Sequence, residues 1–138
     1  MLHAALYAHL QIRRDSLAEG DKIVLETARF LKDDFLQQNS FTAYDKYCPF
    51  YKSVDMLKNI VAFHRLATAA VERTSSGGGD SQKITFNIIK QRLGDLMYKI
   101  TAQKFEDPAD GEEAIRGKLK NVWDEIHEKF RSLEEEYR

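Results

Sequence analysis

The 138-residue chain contains one cysteine, Cys48. A single thiol excludes an internal disulfide; it leaves the redox compartment open and favours a reducing one. No apolar run approaches the roughly 18 residues of a membrane-spanning helix, so direct membrane insertion is not expected. Neither sign of charge is in excess: 21 Lys and Arg face 22 Asp and Glu, a net charge of -1. That balance gives no electrostatic footprint for nucleic acid and no polybasic signal for a membrane surface. A phosphate-binding P-loop is also missing. Such a loop needs glycine, four residues, glycine, lysine and Ser or Thr, so that backbone N–H groups cradle the phosphates. Gly77, Gly78 and Gly79 are followed instead by Asp-Ser-Gln-Lys. They read as a flexible loop, and the chain alone has no apparent means of hydrolysing a nucleotide.

What is present fits one soluble globular domain, with 43% apolar and 31% charged residues and enough length for a single core. Four helical patterns and no convincing strand predict an all-α, four-helix bundle-like fold. Ser16 and Glu19 have capping-box spacing ahead of the first helix, with Gly20 moving the regular helix toward Asp21. Ile23, Ala28, Leu31, Phe35 and Leu36 form its apolar face, and Asn39-Ser40 is its expected stop. Ser53 is the expected cap of a second helix, with Leu57, Ile60, Val61, Leu66, Ala67, Ala70 and Val71 on its apolar face and an end at Thr74. A third helix begins near Thr85 and buries Ile88, Ile89, Leu93, Leu96, Met97 and Ile100. Asp107-Pro108 ends or follows it. The fourth begins near Gly111 with a seam of Ile115, Leu119, Val122, Ile126 and Leu133, flanked by Trp123 and Phe130. Its other face is charged, and Glu134 to Glu136 are expected to fray.

Candidate chemistry is sparse. His3, His9, His64 and His127 are scattered. Asp124 and His127 stand three residues apart on one helix, a spacing that bundle metal sites use, but the further carboxylates and the second pair are not found. Both are expected on the polar face, the metal-site expectation is none, and a metal-dependent bundle enzyme falls for lack of ligands. Cys48 has no histidine near it in sequence and is read as a buried or structural thiol. The aromatic segment between the first two helices remains. Phe41, Tyr44, Tyr47, Phe50 and Tyr51 are 5 of the chain's 15 aromatics, where a plain connector would be polar. Either the loop folds over a core or its rings form a binding face. Packing that closes one end of the bundle is expected of Tyr47, Phe50 and Tyr51. Phe41 differs: it follows Gln-Gln-Asn-Ser, and a ring held out by a polar turn can stack on another ring.

The run Gln37-Gln-Asn-Ser-Phe-Thr-Ala-Tyr-Asp-Lys-Tyr-Cys-Pro-Phe-Tyr-Lys52, followed by Met56-Leu57, resembles the C-terminal region of the catalytic A subunit of V-type proton-pumping ATPases. The resemblance continues through Lys83-Ile-Thr-Phe86, Leu96-Met-Tyr-Lys99, Lys104-Phe-Glu-Asp-Pro108 and Phe130-Arg-Ser-Leu133. It covers residues 15–135, and residues 15–138 are therefore read as the helical domain. Residues 1–14 do not resemble the acidic helix that precedes this point in the family; they read as a short helix, a non-native leader, an alternative gene start or a misread exon.

The resemblance implies a domain of an ATP-hydrolysing proton pump whose P-loop and catalytic glutamate lie in another domain, so no catalytic residue is expected here. ATP and Mg2+ would be cofactors of the full subunit, with none bound tightly by this chain. Partners would be the B subunits and the central-stalk subunits, on the cytoplasmic face of vacuolar or other acidic endomembranes. It further implies that Phe41 stacks on the adenine ring, with Gln38 and Asn39 beside the base. Asp15-Ser-Leu-Ala-Glu-Gly-Asp-Lys22 resembles the acidic rotor-facing segment of the related F-type β subunit. Asp15, Glu19 and Asp21 would then face the rotor, unless this is an ordinary capped helix start, where acids are favoured anyway. A rival from a different class is a stand-alone helical module that binds pump subunits and regulates them without hydrolysis.

Overall fold

The computed structural model describes residues 18–37, 48–75 and 82–138, and all the regular structure among them is helical. Helix α1 (Glu19–Arg29) runs directly into a π-helical segment (Phe30–Leu36). Helix α2 (Phe50–Ser75) is the long central element, α3 (Phe86–Arg92) and α4 (Gly94–Ala102) follow, and α5 (Glu112–Glu136) closes the chain. Two 3-10 turns, Gln103–Phe105 and Pro108–Asp110, connect α4 to α5. The all-α expectation holds, with four helical arms once α3 and α4 are taken as one. Helix α2 packs most extensively on α5 and then on α1.

The main core joins all the arms through Phe30, Ile60, Phe63, Ile89, Ile100 and Phe130, all buried. Phe63 is its centre: its ring meets Phe30 edge-on at 5.5 Å and Phe130 at 5.6 Å. A second cluster of Met56, Ile115 and Leu119 closes one end, with Phe35 and Tyr51 packed against it.

Local chemistry moves several boundaries. Helix α1 starts at Glu19 with Ala18 at its N-cap; Ser16, the other half of the expected capping box, lies outside the described residues. The apolar face of this arm also changes. Ala28 is not buried and Leu36 is 71% exposed, while Phe30 and Asp34 are buried. The buried residues Ile23, Phe30 and Asp34 stand seven and four residues apart, an ordinary helical stripe that the expected face missed because Asp34 is polar, and the arm closes with the i to i+5 bonding of the π-helix (Gln37 N–H to the Lys32 carbonyl, 3.1 Å). The arm ends at Leu36, before Asn39-Ser40.

Helix α2 begins at Phe50, three residues before Ser53, because Pro49 stands just ahead of it and its carbonyl already accepts the Ser53 N–H at 3.2 Å. Its buried stripe is Met56, Asn59, Ile60, Ala62, Phe63, Ala67 and Ala70, leaving Leu57 and Val61 toward solvent. The third arm starts as expected, with the Thr85 hydroxyl accepting the Ile88 N–H at 3.3 Å. It breaks at Leu93, just before Gly94. In α5 the seam falls as expected, with Phe130 inside it and Trp123 at its exposed edge. Glu134 to Glu136 do not fray: Glu134 pairs with Arg73 at 2.8 Å and Glu136 with Arg92.

Candidate functional site

The residues that carry the resemblance leave the described structure at Gln37 and re-enter at Cys48. Phe41, Gln38 and Asn39 lie outside the described residues, as does Asp15. What the structure does give is the ground on which they stand.

The outgoing foot is the end of the π-helix. Asp34, 7% exposed, accepts from the Thr101 hydroxyl at 3.1 Å and from the Arg29 guanidinium at 3.4 Å. Burial pushes its carboxyl above the ordinary value, opposed by the Thr101 bond and by the charges of Arg29 and Lys104. Lys104 reaches over to the carbonyls of Asp33 (3.4 Å) and Gln37 (3.2 Å), satisfying acceptors that a helix end leaves open. The returning foot is the start of α2. The Cys48 thiol lies 3.3 Å from the Ser53 hydroxyl, half-buried, as suits a structural thiol. Phe50 is 84% exposed, against the expectation that it packs under the loop, because the helix turns it outward. Tyr51 does pack, against Met56 and its cluster. Lys52, only 1% exposed, donates to the carbonyls of Lys104 and Glu106, both at 2.7 Å.

The acidic edge is the N-terminus of α1. Asp21 is exposed. Glu19 is held: one carboxylate oxygen accepts the Phe86 N–H at 2.7 Å and the other meets Lys22 at 3.3 Å. Glu19 therefore caps α3 from across the fold, a charge-assisted bond to an otherwise open helix-end donor. Sequence reasoning misses this, because the partners stand 67 residues apart.

Nothing among the described residues forms a group of three potential metal ligands. Asp124 is exposed and paired with Lys120 at 3.0 Å, and His127 is exposed with Nδ1 2.8 Å from the Trp123 carbonyl. His64 contacts the Thr27 hydroxyl at 3.1 Å. A groove of about 410 Å³ between α2 and α5 is lined by Asn59, Leu119, Trp123 and charged side chains, of which Asp55 is paired with Arg116 at 3.3 Å. It carries no Ser, Cys or His nucleophile among the described residues. The Thr27 hydroxyl beside His64 also donates to the Ile23 carbonyl at 2.9 Å, the bond of a helix-interior threonine, so the pair reads as structural. No described helix is long and apolar enough to cross a membrane.

Comparison with known proteins finds matches along the chain. Residues 12–77 match the C-terminal domain of V and A type ATP synthase. Over 127 residues, 92% of this chain, the sequence is 67% identical to isoform 1 of the V-type proton ATPase catalytic A subunit of Acetabularia acetabulum, covering 21% of that protein. Over 92% of the chain it is 57% identical to the V-type catalytic A subunit of Zea mays, covering 22% of it. Over 90% of the chain it is 50% identical to that of Caenorhabditis elegans, covering 20% of it. The chain thus spans about a fifth of the length of the curated relatives it matches. Residues 12–77 thus match the C-terminal domain of V and A type ATP synthase, and over 92% of its length the chain is similar to a stretch of V-type catalytic A subunits.

Proposed function

We propose that this chain acts as the C-terminal domain of a catalytic A subunit in an ATP-driven proton pump, where it couples nucleotide occupancy to rotation of a central stalk. The observation that carries the reading is the 67% identity over 92% of the chain to a V-type catalytic subunit. Phe41 stacks on adenine, Gln38 and Asn39 stand beside the base, and the edge of Asp15, Glu19 and Asp21 faces the stalk. The bond from Glu19 to Phe86 supports a mechanical role for that edge, since it links the start of α1 to the start of α3 and so to the core. Push on the edge and the helices move as a unit, the behaviour of a rigid body on a hinge.

The chemistry of bond cleavage belongs to the rest of the protein. The chain has no P-loop, and its described residues include no group of three metal ligands, so no step through Mg2+ is assigned to it. ATP and Mg2+ are cofactors of the full subunit. The partners are B subunits and stalk subunits, and the complex sits as a peripheral assembly on the cytoplasmic face of acidic endomembranes. The rival reading, a regulatory module acting without hydrolysis, gains nothing from these relatives, each of which is a catalytic subunit.

The test is Phe41→Ala in the assembled enzyme. Aromatic–base stacking contributes roughly 1–3 kcal/mol, so the KM for ATP should rise at least about five-fold while the purified domain keeps its thermal midpoint. An unchanged KM removes Phe41 from the nucleotide site.

A further inference from the structure

We infer that Lys104 and Lys52 are positioning residues for the nucleotide site, because together they tie both feet of the aromatic segment to one turn. The inference rests on the reading of Phe41 just given. The segment leaves the π-helix at Gln37 and returns to helix at Phe50. On the outgoing side the Lys104 ammonium donates to the Gln37 carbonyl at 3.2 Å. On the returning side the Lys52 ammonium donates to the Lys104 and Glu106 carbonyls at 2.7 Å each. Both bridges converge on the turn Gln103–Phe105 and the residue after it. The turn is itself bolted to α2: the Gln103 amide donates to the Met56 carbonyl at 3.2 Å and accepts from Asn59 at 3.0 Å.

The residue types argue for position over bulk stability. Lys52 is 1% exposed, and a buried ammonium is costly to desolvate; an apolar side chain of similar length fills such a site at no comparable penalty. What an ammonium adds is direction: short charge-assisted bonds to two named carbonyls. Lys104 is less buried and contributes little to the core, yet it spans to a carbonyl 67 residues away, next to Gln38. Displacing the turn therefore moves the two feet together, and a catalytic constellation is sensitive to such shifts.

The experiment measures ATPase kinetics of the assembled pump with Lys104→Met, Lys104→Arg and, as the reference, Phe41→Ala. Lys104→Met should raise the KM for ATP about three- to ten-fold with kcat within about two-fold, the pattern of lost binding. Lys104→Arg should restore most of it. If Phe41→Ala raises KM and Lys104→Met does not, the positioning role is overturned and the adenine site stands. If neither variant changes KM, the adenine reading falls and this inference with it. Should the Lys104→Met pump fail to assemble, hydrogen exchange on the purified 138-residue chain decides. Faster exchange in peptides covering residues 38–47, with α4 protection unchanged, supports the role, and identical exchange overturns it.

Discussion

Asp34 sits on the π-helix with its carboxylate turned inward onto the Thr101 hydroxyl. Burial raises its pKa, so the folded state holds this proton to higher pH than the unfolded chain does. The sign follows: Asp34 lowers stability as pH rises from the ordinary carboxylate value to its raised one, and the penalty persists above that. Asp34→Asn should therefore be the more stable protein at pH 7, with the difference shrinking on acidification; urea denaturation at neutral and acid pH measures both. Asn59 makes the opposite case, a buried polar side chain partnered by the Gln103 side chain and the Leu119 carbonyl, both at 3.0 Å. Asn59→Ala should cost about 1–3 kcal/mol, read from the urea midpoint, because both partners lose their donor inside the fold. These residues are illegible in the sequence for a physical reason. Periodicity registers apolar side chains, and a polar residue within a stripe reads as solvated until its partner is known. The partners of Asn59 stand 44 and 60 residues away.

The helices themselves are legible because each has an apolar face that must be covered. In α5 the seam of Ile115, Leu119, Ile126 and Leu133 can be read directly from the spacing and is buried. The first arm is less legible. Its buried stripe of Ile23, Phe30 and Asp34 keeps helical spacing, but the last member is a carboxylate, which an apolar pattern does not register, and the apolar Leu36 beyond it is exposed. The break at Leu93 is hidden because Leu93, Leu96 and Met97 keep helical spacing straight through it. Two glycines test the helix account. Gly117 lies inside α5 with nothing within 4 Å of an added Cβ, so Gly117→Ala should stabilise by about 1 kcal/mol and raise the thermal midpoint by a few degrees. Gly111 starts the same helix at φ 94°, where an L side chain is strained, so Gly111→Ala should lower the midpoint instead. Equal shifts in one direction would contradict the assignment.

At the scale of the molecule the arms behave as one body because Phe63 of α2 touches Phe30 of the first arm and Phe130 of the last. Phe63→Ala should cost about 3–5 kcal/mol in thermal or urea unfolding, the range for a large core side chain. That rigidity is what the proposed coupling role requires, and the Glu19 to Phe86 bond joins the start of α1 to the start of α3. The central claim is that this chain is the coupling domain of a catalytic subunit. The most direct measurement replaces the matching C-terminal region of the Acetabularia acetabulum catalytic subunit with this chain and follows ATP-driven acidification of vesicles bearing the assembled pump. The account predicts acidification within a few-fold of the parent pump. Assembly with intact ATP hydrolysis and no acidification would contradict it.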